Sequence, residues 1–181
     1  MTGKNLNTPT IETERLLLRG WREDDVSAIA DIYGDEVSSR YIGGQMKRWQ
    51  AWRTVCMIIG HWQFRGFGLF AIEEKSTGTC LGWAGPWRPD GWPENEIGYS
   101  LRRSAWGKGY ATEASMAGLR YAYEKLGWKT AMSCINAENT GSQNVAKRLG
   151  ASHEARDVKI NDFVADIWRH LPPKQFLERC A

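Results

Sequence analysis

Arg102-Arg103-Ser104-Ala105-Trp106-Gly107-Lys108-Gly109-Tyr110-Ala111-Thr112-Glu113-Ala114 is the stretch on which the reading of this chain turns. An extended segment stops here, two glycines remove side chains from the backbone, and a helix begins. Without a Cβ at Gly107 and Gly109, a ligand's phosphates can approach several backbone N–H groups, and the start of the helix adds unpaired donors and partial positive charge. The pattern predicts an anion-binding turn; a tight loop with Lys108 at a polar tip is the plainer alternative that the same residues allow. Two better-known phosphate loops do not fit. A dinucleotide fingerprint needs a third glycine where Thr112 stands, and a Walker loop needs one where Arg102 stands.

Outward from this turn the chain reads as a mixed α/β domain over residues 11–181, preceded by a loose leader over residues 1–10. The run Thr13 to Trp21 predicts a first strand, and Arg22 to Gly34 a helix with acids in its first turn. Met46 to Phe64 has helical spacing at Trp49, Trp52, Val55, Cys56, Ile59 and Trp62. Gly66 to Lys75 and Cys80 to Gly85 read as a hairpin, and a turn-rich loop from Pro86 to Pro93 delivers the chain into a strand at Glu94 to Leu101. Tyr110 to Leu126 is a helix, Trp128 to Ile135 a strand, and Asn139 to Leu149 a short helix. A final hairpin turns across Asn161, and Pro172-Pro173 ends the sheet.

Composition narrows the function. With 181 residues, 42% apolar and 25% charged, the chain can bury a full core and is not a disordered segment. The net charge of +3, from 24 basic and 21 acidic residues, is too mild to imply nucleic acid as a partner and suits a small polyanionic ligand. No run approaches the ~20 apolar residues of a membrane span, and the first ten residues lack a secretion signal's apolar core, so a cytoplasmic protein is expected. Cys56, Cys80, Cys134 and Cys180, with His61, His153 and His170, show no metal-ligand spacing, so no metal is expected.

Asn95-Glu96-Ile97-Gly98-Tyr99-Ser100-Leu101 before the glycine turn, and Asn139-Thr140-Gly141-Ser142-Gln143-Asn144-Val145-Ala146-Lys147-Arg148-Leu149-Gly150 after it, stand at the distance of one helix plus one strand. Together with the turn they resemble the GNAT acyltransferase superfamily, and within it the RimJ/RimL-like branch. The resemblance runs from about Glu14 to Leu171 and is most specific from Ile97 to Gly150. It implies a mostly antiparallel sheet of about seven strands, flanked by about four helices, with a splay between the two middle strands. It further implies an N-acetyltransferase that uses acetyl-CoA and an amine acceptor, a protein N-terminus or a small amine, as a monomer or homodimer. A non-catalytic acyl-CoA sensor is the alternative.

Carried onto this chain, the resemblance assigns the diphosphate cradle to Trp106, Gly107, Lys108, Gly109, Tyr110, Ala111 and Thr112, and the strand that pairs with the pantetheine arm to Tyr99, Ser100 and Leu101. Two positions depart from the family pattern. Ser104 stands where the superfamily favours Gln or Arg, which leaves Arg102, Arg103 or Lys108 to compensate charge, and Ala146 stands where many members keep an acid tyrosine. The branch instead has Asn-x-x-Ser, matched by Asn139 and Ser142, with the serine near the coenzyme sulfur; a helix cap alone would explain Asn139 equally. Attack by an amine needs a proton acceptor, and Glu96 is the candidate base, with Glu94 on the same strand face as substitute. The transfer is direct, through a tetrahedral intermediate, with Cys134 a buried strand cysteine and not a nucleophile. Trp49, Trp52, Trp83, Trp87 and Trp92 are the candidate wall of an acceptor pocket.

Overall fold

The computed structural model describes residues 8–179, and the leader read over residues 1–10 lies largely outside them. Strands β1 (Ile11–Glu12) and β2 (Leu16–Arg19) lead through a 3₁₀ turn at Glu23–Asp25 into helices α1 (Val26–Gly34), α2 (Glu36–Ser39) and α3 (Arg48–Arg65). Strands β3 (Phe70–Glu74), β4 (Thr79–Trp87) and β5 (Glu96–Leu101) follow, then α4 (Tyr110–Glu124), β6 (Met132–Ile135) and α5 (Thr140–Arg148). The hairpin of β7 (Ser152–Ile160) and β8 (Phe163–Arg169) and helix α6 (Pro173–Arg179) complete the described chain. The strands form one sheet in the order β1-β2-β3-β4-β5-β6-β8-β7. Every neighbouring pair is antiparallel except β5 and β6.

This is the expected mixed, largely antiparallel class, with eight strands where about seven were expected and six helices where about four were. The additions have local causes. Strand β1 has two residues and α2 four, too few to show a period. Pro172-Pro173 ends the sheet, yet Pro173 also opens α6, because the first helical position needs no N–H and favours proline's fixed φ. Phe176 of that helix is fully buried and packs edge-on against Tyr123 of α4 at 5.6 Å.

The main core joins Leu16 and Leu18 of β2, Ile29 and Ile32 of α1, Val55 and Ile58 of α3, and Phe70 and Ile72 of β3. Arg19 fixes the entry to α1: its guanidinium holds both oxygens of buried Asp25 at 2.7 and 2.9 Å and Glu73 at 2.7 Å. Helix α4 lies along β4 and β5, and a Cβ on Gly118 would stand 3.0 Å from Cα of Gly85. That close seat brings the start of α4 to the end of β5. No helix among the described residues is long and apolar enough to cross a membrane.

Candidate active site

The site begins where the sheet opens. Strands β5 and β6 share one registered pair, Glu96 with Met132, beside a hydrogen bond of 2.9 Å from Met132 N–H to the Asn95 carbonyl. Beyond it, side chains bridge the parting strands. The Glu96 carboxylate accepts from the Cys134 amide at 3.0 Å and from the Trp92 indole N–H at 2.7 Å. Glu96 is 7% exposed, and its burial pushes its pKa up to about 7, against the opposing pull of these two donors. Ser133 Oγ donates to the Ile97 carbonyl at 2.7 Å and lies 2.9 Å from Nε2 of buried His170. With the hydroxyl proton committed to Ile97, Nε2 of His170 carries the donated proton.

Ser133→Ala removes the shared hydroxyl and leaves a buried carbonyl and a buried imidazole N–H without their partner. The expected cost is about 2 kcal/mol, read by urea unfolding, and Ser133→Thr, which keeps the hydroxyl, restores most of it.

At the other end of β5, a 3₁₀ turn at Arg103–Ala105 precedes the glycine turn, and the Trp106 indole donates to the Leu101 carbonyl at 2.8 Å. Gly107 and Gly109 have φ of 74° and 82°, the left-handed region, so glycine is required there by conformation. A Cβ at Gly107 would meet nothing within 4 Å, which shows that the backbone there faces open space. Helix α4 starts with no side-chain cap. Arg15 braces the turn: it holds the Lys108 carbonyl at 2.9 Å and pairs with Glu113 at 2.6 Å, and Glu113 also accepts from Thr13. The turn faces a cleft of about 960 Å³ between the end of β5 and the start of α4 on one hand and α5 on the other.

Helix α5 begins at Asn139, whose Oδ1 accepts the Ser142 amide at 3.0 Å. Asn139 is thus a cap in fact, and it also lines the cleft. The Tyr99 hydroxyl donates to the Ser142 carbonyl at 3.4 Å, and burial pushes the phenol up to about 12. A second cleft, of about 260 Å³, is lined by Glu96, Trp83, Trp87, Trp92, Tyr33 and Phe163 among others. Tyr41, Ile42, Tyr99, Asn139 and Ser142 line both clefts, so the two meet there.

The structure brings most of the sequence-derived residues to these clefts and separates others. Tyr99, Ser100, Leu101, Trp106, Gly107, Gly109, Tyr110, Ala111 and Thr112 line the larger one; Lys108 does not. Trp49 and Trp52 lie apart from both, 53% and 49% exposed on α3, and Trp49 is covered by the Arg53 guanidinium 4.5 Å from its ring centre. Glu94 also lies outside both clefts: Arg169 grips it through two bonds of 2.6 and 3.0 Å and holds its carboxyl below the usual range. Arg102 pairs with Asp31 and Arg103 with Asp35, so the cations that line the larger cleft are Arg15, Arg40 and Arg148. Burial pushes the Cys134 thiol up, away from the thiolate.

Some cleft residues went unread. Arg148 had a usable signal, because Gly141, Asn144, Val145 and Arg148 repeat at the three- and four-residue spacing of one helix face. Tyr41 and Ile42 had none, standing in a stretch of short mixed signals.

Residues 15–152 match the family model of the acetyltransferase (GNAT) domain. The chain belongs to the GNAT acetyltransferase family. Its enzyme class is accordingly acyltransferase. A crystal structure of an acetyltransferase from Agrobacterium tumefaciens is 31% identical, with a TM-score of 0.81 over 90% of this chain and 94% of that one. An uncharacterized N-acetyltransferase of Bacillus licheniformis, p20, is 29% identical over 80% of this chain and 83% of its own length. RimL, a ribosomal L7/L12 α-N-protein acetyltransferase solved with coenzyme A, shares the fold at 17% identity and a TM-score of 0.72, over 90% of this chain and 96% of that one. The GNAT fold's opening between β5 and β6 is therefore present here with both clefts abutting it.

Proposed function

We propose that the protein is an acetyl-CoA-dependent N-acyltransferase acting on a primary amine, with the larger cleft for the coenzyme and the smaller for the amine. The observation that carries this reading is the position of Glu96, a buried carboxylate in the smaller cleft, which meets the larger one at Tyr99 and Ser142. The larger cleft fits the coenzyme on its own chemistry. The uncapped start of α4 and the open backbone at Gly107 offer N–H donors to a diphosphate, and Arg15, Arg40 and Arg148 line the same space. Tyr99, Ser100 and Leu101 would hold the pantetheine arm along the edge of β5 that has left β6. Bound there, acetyl-CoA would supply an acyl group activated as a thioester.

The remaining work falls to this chain's side chains. Glu96, ionised in about half the molecules near neutral pH, takes a proton from the acceptor ammonium at the free lone pairs of Oε1 and Oε2. Trp92 and Cys134 keep the carboxylate in place while it does so. The Ser142 hydroxyl and the Tyr99 phenol, which burial keeps protonated, stand where the clefts meet and can donate hydrogen bonds to the departing thiolate, which then takes the proton that the acylated nitrogen sheds.

Release of free thiol from acetyl-CoA in the presence of an amine panel tests the reading. Amine-dependent release is expected. Saturable acetyl-CoA binding by calorimetry with no release from any amine or peptide would make the protein a sensor and not an enzyme. Ser142→Ala should lower kcat by about tenfold, the worth of one neutral hydrogen bond, with little change in acetyl-CoA affinity.

A further inference from the structure

The charge and shape of the smaller cleft narrow the choice of amine. The argument rests on the proposed assignment of that cleft to the acceptor. Among the described residues that line it, Glu96 is the one acid, and no Lys, Arg or His is present. The aromatic walls are built in advance of any ligand: Tyr33 stacks on Trp83 at 5.9 Å and 24°, and Trp92 packs against Phe163 at 5.5 Å. Trp87 is backed by the His61 ring at 4.2 Å, and Trp92 is tethered through its indole N–H to Glu96.

Each feature excludes a class of amine. A polyamine or aminoglycoside would bring a second ammonium into a lining with no second carboxylate. Ring faces attract an ammonium by about 0.5–2 kcal/mol, less than a buried carboxylate partner gives, so they replace it only in part. A free amino acid would bring a carboxylate that meets no cation, which is costly away from water. A peptide would bring backbone amides onto the wall of Trp83, Trp87 and Phe163, whose side chains accept no hydrogen bond. At about 260 Å³ the cleft has room for one ring with a short amine tail.

We infer that the acceptor is a small arylalkylamine, with its ring among Tyr33, Trp83, Trp87 and Phe163 and its single basic nitrogen at Glu96. The ring gains aromatic contact and apolar burial, and the one ammonium finds the one carboxylate.

The test uses the full-length protein with acetyl-CoA and four acceptors: phenethylamine, spermidine, free phenylalanine and an alanine-terminated peptide. It reads thiol release and, separately, quenching of tryptophan emission by phenethylamine alone. The expected kcat/KM for phenethylamine exceeds the other three by about tenfold or more, the discrimination that an unpaired buried charge or amide imposes. Phe163→Ala, at the exposed rim, should raise KM for phenethylamine by about tenfold and leave KM for acetyl-CoA unchanged. Met57→Glu supplies the missing second carboxylate and should raise kcat/KM for spermidine relative to phenethylamine by about fivefold or more.

Turnover that favours spermidine, phenylalanine or the peptide overturns the arylalkylamine assignment while leaving the transferase reading in place. So does a Met57→Glu enzyme with an unchanged preference. Saturable quenching by phenethylamine that weakens in Phe163→Ala, with no thiol released from any acceptor, supports the ligand class and removes the transferase reading instead.

Discussion

Glu96→Gln lowers kcat/KM for the acceptor amine by about 10²–10⁴-fold, the usual worth of a positioned general base, while acetyl-CoA affinity stays within about twofold. The pH profile is the sharper readout. Activity of the natural enzyme rises with pH through about 7, as the Glu96 carboxyl ionises, and this limb is absent from the variant. A variant whose rate is depressed by the same factor at every pH, with the limb intact, would show that another group titrates and that Glu96 serves only to shape the cleft.

The same substitution uncovers a stability effect. Glu96 has a folded pKa of about 7 against an ordinary 4.5, so it favours the folded state below pH 4.5, and that contribution is lost as pH rises through about 7. His170, pushed by burial and then by Arg169 down to about 4 from an ordinary 6.5, does the opposite. Its contribution is present above pH 6.5 and lost as pH falls through about 4. Each is worth about 3 kcal/mol, and between pH 4.5 and 6.5 they oppose each other. The two slopes cancel there, so Glu96→Gln should gain stability with rising pH relative to the natural protein by up to about 3 kcal/mol across that interval, read by urea unfolding of both at several pH values.

The residues of the larger cleft were legible in the sequence because they are local. Gly107 and Gly109 must be glycines for their left-handed backbone, and Asn139 and Ser142 stand at cap spacing, so spacing alone carried their geometry. The smaller cleft was legible only in part, since it is assembled from α1, α3, β4, the loop before β5, β6 and the rim of the last hairpin. Trp83, Trp87 and Trp92 were found because strand and loop precede Glu96 directly. Helical spacing alone does not tell which face of α3 turns inward, and Trp49 and Trp52 fall on the exposed one. On α3 the inward stripe is Ala51, Val55, Ile58 and Trp62, with the smallest of them fully buried against its surroundings. Glu94 shares a two-residue period with Glu96, but β5 starts at Glu96, so the period does not extend to Glu94, and Arg169 from β8 takes it instead. No reading of one segment could supply that partner.

Ala111→Glu should raise the Kd for acetyl-CoA by about 100-fold or more, close to 3 kcal/mol, while leaving the melting temperature unchanged or slightly higher. The two effects have opposite signs for one reason. Ala111 is the second residue of α4 and lines the larger cleft, where an added carboxylate faces the unpaired N–H groups and partial positive charge of the helix start. In the free protein that contact is favourable by a few tenths of a kcal/mol to about 1. In the complex the same donors are wanted by a diphosphate, and two like charges about 4 Å apart repel by about 4 kcal/mol at the dielectric of a protein surface. Glu113, an acid already present in this turn and lining the same cleft, escapes the conflict because Arg15 pairs with it and Thr13 donates to it, a neutralisation by Arg15 that the introduced carboxylate would lack. Ala111→Gln, of the same size and without the charge, separates repulsion from crowding and should lose far less affinity. Calorimetry showing acetyl-CoA bound to Ala111→Glu as tightly as to the natural protein would remove the diphosphate from the start of α4, and with it the assignment of the larger cleft to the coenzyme.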